Sequence, residues 1–258
     1  MSAKIRFEML NSNIGKLTLS QPKRRNALNA KMWNELPKVL TKASRNKSLK
    51  ALIVTGDGAH FSSGVDISEF ETLYSTPASA EKISLDISNG LEALAKFPLP
   101  TIAMIRGTCV GGGCALALSC DIRFADTTSK FAITPAKLGL VYPFSDVQRL
   151  IETVGIPHAK DMLFSARPIQ AKAARKMGLI NQIFKVDNLE AKTISYANNM
   201  STLSTQSLAV TKQMFAAYQS GLFSESEQTR EWFQSRFSSQ DFKKGYKSFL
   251  EKRKPDFS

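Results

Sequence analysis

Three consecutive glycines, Gly111-Gly112-Gly113, stand where an apolar strand pattern, Thr101-Ile102-Ala103-Met104-Ile105, gives way to a short apolar helix, Ala115-Leu116-Ala117-Leu118. Glycine lets the backbone turn sharply there and lets another group approach the main chain. The first turn of a helix also leaves N–H groups without intrahelical partners, at the positive end of the dipole. Two readings follow: an anion or oxyanion site at Gly111-Gly112, or a tight turn with close helix–strand packing. The spacing of a dinucleotide fingerprint is absent, and so is a phosphate loop ending in Gly-Lys-Ser/Thr. His60 and His158 are the only histidines, and His60 reads as a loop residue. Cys109, Cys114 and Cys120 all fall in or beside the glycine stretch. An odd count in apolar surroundings argues against a disulfide framework, and with no second Cys/His cluster it argues against zinc. They read as small buried hydrophobes.

The elements that must position these groups follow from periodicity. Ile5 to Leu10 and Ile14 to Leu19 alternate as two strands joined through Asn11-Ser12-Asn13. Asn29 is placed to cap a helix to about Arg45, with Met32, Trp33, Leu36, Val39 and Leu40 on one face and Pro37 as a possible kink. A buried strand at 51–55, a glycine-bearing loop at 56–64, a short helix within 66–74 and a longer helix at 79–97 come next. Beyond the glycines, strands are expected at 122–125, 130–133 and 179–184, and helices at 144–154, 158–165 and 170–177. From Asn188 to Glu251 nearly everything reads as helix. Strands alternating with helices predict an α/β core over 1–186, followed by a helical region over 187–258 that serves as a lid or an oligomer interface.

The 258 residues suffice for one large core. Nothing approaches the roughly 20 apolar residues of a membrane span, and Met1 to Leu10 has no apolar signal core, so a cytoplasmic protein is expected. The net charge of +13 favours an anionic partner, with basic clusters at 23–25, 42–50, 172–176 and 243–254. Most of these clusters read as solvated helix faces, which disfavours nucleic acid.

Several ordered motifs together resemble the crotonase, or enoyl-CoA hydratase/isomerase, superfamily. They are Pro22 to Leu28, Phe61 to Ile67, Pro98 to Ala103, the glycine stretch to Asp121, Gln148-Arg149-Leu150, Ala173 to Asn181 and Phe249 to Pro255. The resemblance implies a spiral of ββα units with an α-helical C-terminal trimerisation region, assembled as a homotrimer or a hexamer of two trimers. It implies no permanently bound cofactor or metal, and a coenzyme A thioester as substrate. Its shared chemistry, stabilising a thioester enolate, falls to the N–H groups of Val65 and Gly112. A developing oxyanion needs such preorganised donors at about 3 Å. Coenzyme A would lie along Ser63, Gly64, Asp66 and Ile67, beside Lys23, Arg24 and Ala27, with Thr134 a further substrate-binding residue and Lys252 near a phosphate.

The sequence departs from the hydratases at both catalytic glutamates. The first position is Ala115, and the second is Pro135 or Ala136. The glutamate of peroxisomal-type enoyl-CoA isomerases is replaced by Pro143. Hydration needs a base for water and an acid for the α-carbon, which alanine and proline cannot supply. The run Thr134 to Tyr142 and the ending Glu251 to Phe257 resemble instead the methylmalonyl-CoA decarboxylase subset. There loss of CO2 generates the enolate directly and a tyrosine orients the carboxylate. Tyr142 is the candidate for that role. Where that subset has histidine, Val65 stands here. Asp146 reads as part of a helix N-cap with Ser145, or as a base if it points inward. Three outcomes stay open: a decarboxylase-like lyase, a hydratase or isomerase using Tyr142 or Asp146, and a non-catalytic acyl-CoA-binding or RNA-binding homologue.

Overall fold

β1 (Lys4–Met9) and β2 (Ile14–Ser20) pair antiparallel. The Asn11 side chain closes their turn by accepting from the Asn13 and Ile14 N–H groups at 2.9 Å. A computed structural model describes residues 3–257. After a basic turn at 22–24, α1 (Ala30–Ser44) begins where the Asn29 side chain accepts from the Met32 N–H at 2.9 Å. It runs through Pro37 unbroken. Its apolar face, with Met32, Trp33, Leu36 and Leu40, is buried. Burying side chains of this size contributes ~1.5–3 kcal/mol each.

β3 (Ala51–Gly56) is buried along its whole length, as a strand covered on both faces must be. α2 (Phe70–Leu73) is one turn, and α3 (Pro77–Ala95) starts from a reciprocal Thr76–Ser79 cap. β4 (Thr101–Ile105) then joins the sheet. Next come β5 (Thr108–Val110), α4 (Gly112–Leu118), β6 (Ile122–Asp126) and β7 (Lys130–Ala132). α5 (Phe144–Ser165) is interrupted at Gly155, whose φ of 74° and ψ of 161° divide it into two segments. β8 (Ile169–Gln170), α6 (Ala171–Lys176) and β9 (Gln182–Phe184) complete the α/β part. α7 (Leu189–Ser201), α8 (Thr205–Gln219), α9 (Glu227–Gln234) and α10 (Gln240–Leu250) follow.

The main sheet has six strands in the order β1-β2-β3-β4-β6-β9, parallel except for the first pair. A second sheet, β5-β7-β8, lies beside it. Two isolated bridges, Leu28 with Val65 and Ser62 with Cys109, tie the 61–65 loop into this second layer. Buried side chains from both sheets, α1, α3, α4 and α5 make one core. A smaller cluster under α7, with Leu189 and Ala197 against Ile53, Ile102, Met104 and Phe124, covers the opposite face of the main sheet. α8 is anchored to the sheet by Lys212, whose Nζ lies 2.7 Å from Asp121 Oδ2 and 3.2 Å from the Leu99 carbonyl.

Periodicity located the main elements and missed two. β5 is three residues and β8 two, too short to show alternation, and both exist through partners distant in sequence. The helix expected from Ala115 begins at Gly112, because packing overrides the poor intrinsic propensity of glycine. The strand expected over 179–184 is confined to Gln182–Phe184. Leu179 and Ile180 are buried core residues ahead of it.

Candidate active site

The glycine stretch turns back on the 61–65 loop. Ser62 is held on β5 by two backbone bonds, its N–H to the Thr108 carbonyl and its carbonyl to the Val110 N–H, both 3.0 Å. Its Oγ donates to the Asn26 carbonyl at 2.8 Å and accepts from the Gly64 N–H at 3.1 Å. Gly64 turns with a φ of 94°, and a Cβ there would lie 2.7 Å from the Gly112 nitrogen, so no other residue fits. Gly111 caps α4 with a φ of 55°. Its N–H donates to the Ala132 carbonyl at 2.9 Å.

This packing sets Val65 beside Gly112. A Cβ built on Gly112 would lie 3.5 Å from the Val65 nitrogen, 3.4 Å from Gly64 Cα and 3.3 Å from Trp33 Cζ2. Neither the Val65 N–H nor the Gly112 N–H has a hydrogen-bond acceptor among the described residues. Both residues are half-buried. Two backbone donors without acceptors on adjacent segments, one in the first turn of a helix, are chemically suited to receive an oxygen carrying negative charge. Sequence reasoning named both residues, and the fold sets them side by side. That reasoning missed the floor beneath them, the fully buried Trp33 of α1.

The loop that carries Val65 is strapped to the 22–28 segment. Ser63 donates to that segment twice, from its N–H to the Arg25 carbonyl at 2.9 Å and from Oγ to the Arg24 carbonyl at 3.0 Å. Buried Asp66 accepts from Arg24 Nη1 at 2.7 Å, from Gln21 Nε2 at 3.1 Å and from Ser68. Burial pushes its carboxyl up, but hydrogen bonds from Ser68, Arg24 and Gln21 outweigh it and hold the group below the usual carboxylate range. Asp66 is therefore a brace for the loop. Asn26, buried with a φ of 55°, donates to the Asp57 carbonyl at 2.9 Å and the His60 carbonyl at 2.6 Å. His60 Nδ1 accepts from the Thr108 N–H at 3.2 Å, which fits its reading as a loop residue. Lys23 and Ile67 lie exposed on the outer side of this strap, and Ala27 is buried within it.

Tyr142 and Thr134 reach the same turn from the other side. The Tyr142 hydroxyl donates to the Gly111 carbonyl at 3.3 Å. Thr134 Oγ1 lies 4.0 Å from the position a Gly111 Cβ would take. Burial, and after it the neighbouring Cys114 and Asp146, push the Tyr142 phenol well above its usual value, so it stays protonated. Asp146 is not an N-cap. Pro143 takes that position, and Asp146 lies in the first turn of α5, 2% exposed. Its Oδ1 accepts from Arg149 Nη1 at 3.0 Å, and its Oδ2 takes no hydrogen bond among the described residues. Burial raises its pKa, with Arg149 opposing.

The resemblance expects the hydratase acids at Ala115 and at Pro135 or Ala136. Ala115 is 1% exposed inside α4, and Pro135 and Ala136 start a short helical turn on the surface. Lys252 sits apart, with a φ of 52°, in an open depression of about 620 Å³ formed with Phe249, Leu250, Arg253 and Lys254. No hydrogen bond or ion pair among the described residues joins it to the 63–67 loop. No cluster among the described residues could hold a metal ion.

The three cysteines are buried below this turn. The Cys114 thiol donates to the Cys109 carbonyl at 2.9 Å. Burial pushes the Cys120 thiol up to about 12 and raises that of Cys109 as well. The thiolate is the reactive form. Treating native protein with a thiol reagent at pH 8 is therefore expected to label none of the three within minutes, and unfolded protein all three. Rapid native labelling would show that the turn opens.

The profile of the enoyl-CoA hydratase/isomerase family matches residues 9–258. The chain belongs to the enoyl-CoA hydratase/isomerase family. It is 31% identical over 248 residues to a mitochondrial enoyl-CoA hydratase of Pongo abelii, covering 96% of this chain and 84% of that one. Its fold is similar to that of an enoyl-CoA hydratase/isomerase family protein from Hyphomonas neptunium, at a TM-score of 0.95 and 37% identity over 98% and 97% of the two chains. It is also similar to an enoyl-CoA hydratase/carnithine racemase from Magnetospirillum magneticum, at a TM-score of 0.94 and 29% identity over 100% and 96%. The crotonase fold expected from the motifs is therefore the fold of this family member.

Proposed function

We propose that this crotonase-family protein binds a coenzyme A thioester and stabilises its enolate between the Val65 and Gly112 N–H groups. The observation that carries this reading is the pair of adjacent backbone donors without acceptors. Coenzyme A runs along Ser63, Gly64, Asp66 and Ile67 beside Lys23, Arg24 and Ala27. Lys252 supplies a cation toward a phosphate, and no permanent cofactor takes part.

The preferred reaction is decarboxylase-like. The bond from the α-carbon to a carboxylate breaks, CO2 leaves, and the electron pair moves into the thioester, whose oxygen the two N–H groups hold. A proton then adds to the α-carbon. This route needs no base at the α-carbon, which suits a site with Ala115 and Pro135 in place of the glutamates. Tyr142, kept protonated beside Gly111, orients the carboxylate with Thr134. A second reading, hydration or isomerisation, is favoured by Asp146, whose unengaged Oδ2 can exchange a proton with the acyl group.

Incubation with methylmalonyl-CoA, crotonyl-CoA and a 3-enoyl-CoA, with products followed by mass spectrometry, separates the readings. Decarboxylation that falls at least tenfold in Tyr142→Phe supports the first. Turnover of either enoyl thioester that falls in Asp146→Asn supports the second. Turnover of crotonyl-CoA that survives both substitutions overturns the roles of both residues. Binding without product makes the protein a non-catalytic acyl-CoA binder.

The helical region over 187–258 serves oligomerisation in this proposal, with the core over 1–186 holding the site. Phe215, Phe223, Phe233, Phe237, Phe249 and Leu250 are all more than half exposed, apolar side chains whose burial against further copies of the chain would be favourable. Sedimentation is expected to give three or six times the 28.5 kDa chain mass. A monomer would refute this assignment. No helix among the described residues is long and apolar enough to cross a membrane.

A further inference from the structure

The buried Asp146 is one end of a three-residue chain across α3 and α5. Arg149 Nη1 lies 3.0 Å from Asp146 Oδ1, and Arg149 Nη2 lies 2.7 Å from Glu92 Oε2. The Arg149 side chain is itself 16% exposed, whereas Glu92 is 45% exposed. One nitrogen of the planar fork therefore faces inward and the other is braced at the surface. Such a fork holds two carboxylates in fixed directions, which the flexible ammonium of lysine does not do.

We infer that Arg149, braced by Glu92, is a positioning residue that fixes Asp146 by Oδ1 and presents Oδ2 to the acyl site. The inference rests on the reading of Asp146 as the group that exchanges a proton with the acyl moiety. Three facts support it. Only Oδ1 is engaged. Oδ2 is not among the sealed, partnerless polar atoms of the interior, which are Trp33 Nε1 and Ser248 Oγ among the described residues. Tyr142, whose hydroxyl bonds to the Gly111 carbonyl at 3.3 Å, stands four positions before Asp146 at the entry to α5. The charged and titratable groups of this cluster are Arg149 of α5 and Tyr142 near Asp146, with Glu92 of α3, which also pairs with Lys96 at 2.8 Å, on the far side of the arginine. Arg149 is the cation that bonds Asp146 itself, and it offsets the cost of an ionised carboxylate in that position.

The test is carbon-13 NMR of protein labelled at aspartate, with the Asp146 signal assigned by its loss in Asp146→Asn. Arg149→Met is expected to raise the Asp146 titration midpoint so that the carboxyl binds its proton about tenfold more tightly. Arg149→Lys, which keeps the charge, is expected to move it in the same direction by less than half as much. Saturating butyryl-CoA is expected to shift the Asp146 signal in the wild type and to shift it less in Arg149→Met. A merely structural arginine would also move the midpoint but would leave the response of Asp146 to butyryl-CoA unchanged. An unmoved midpoint in both variants overturns the inference, and so does bound butyryl-CoA that leaves Asp146 unperturbed. Should Arg149→Met fail to fold, Arg149→Lys carries the same test. Absence of butyryl-CoA binding to the wild type would instead overturn the proposed function, while the titrations still report on the arginine.

Discussion

Replacing Gly112 with proline is expected to lower turnover of the accepted thioester by about 100- to 1,000-fold, the usual effect of losing one oxyanion donor. The position suits a clean test. Gly112 is the first residue of α4, where proline is tolerated because its N–H has no intrahelical partner. The substitution removes the donor and leaves the helix. Proline also adds bulk to a gap where a Cβ meets Trp33 Cζ2 at 3.3 Å and the Val65 nitrogen at 3.5 Å. Gly112→Ala adds the Cβ and keeps the N–H, so it isolates that steric contribution. It is expected to retain at least tenfold more activity than the proline variant. Measured kcat/KM for both, with circular dichroism to verify the fold, decides the matter. Equal losses would mean that space, not the donor, is what matters, and full activity in Gly112→Pro would remove Gly112 from the mechanism.

The legibility of this site in the sequence was uneven, for physical reasons. The approach of the 64–65 turn to Gly112 was readable because glycine carries a backbone requirement that few other residues meet. Gly64 with its positive φ and Gly111-Gly112 at a strand-to-helix join are local signals. The fold was readable where apolar periodicity runs long, as in α1 and β3, and where several motifs keep a family's order. The strands β5 and β8 were not, because two or three residues have no measurable period. Asp146 was left between two readings, a helix N-cap together with Ser145 or an inward-pointing base. Only the fold shows Pro143 in the cap position and Arg149 across from the carboxylate. Glu92 lies 57 positions before Arg149, and no local pattern announces such a partner. Trp33 was read as an ordinary core residue of α1, which it is. Its second task, seating Gly112, depends on a contact across the chain.

That contact gives the second large effect. Trp33 is fully buried between α1, Gly90 of α3 and Gly112 of α4, with a Gly90 Cβ position 3.4 Å from its Cε3. Trp33→Ala is expected to cost about 3–5 kcal/mol of stability through the cavity it leaves. It is also expected to cost activity, because the first turn of α4 loses its support. Trp33→Phe should behave differently. The indole Nε1 is buried with no hydrogen-bond partner among the described residues, and a buried unsatisfied donor costs about 1–3 kcal/mol. Phenylalanine removes that donor along with part of the ring, so lost packing and relieved desolvation oppose each other. Its stability is expected within about 1 kcal/mol of the wild type, with activity largely retained. Denaturant melts at matched protein concentration measure both, since assembly would otherwise shift the apparent stability. If Trp33→Phe proves as damaging as Trp33→Ala, the indole N–H has a partner in solution, and the floor of the oxyanion site is polar rather than a plain aromatic platform.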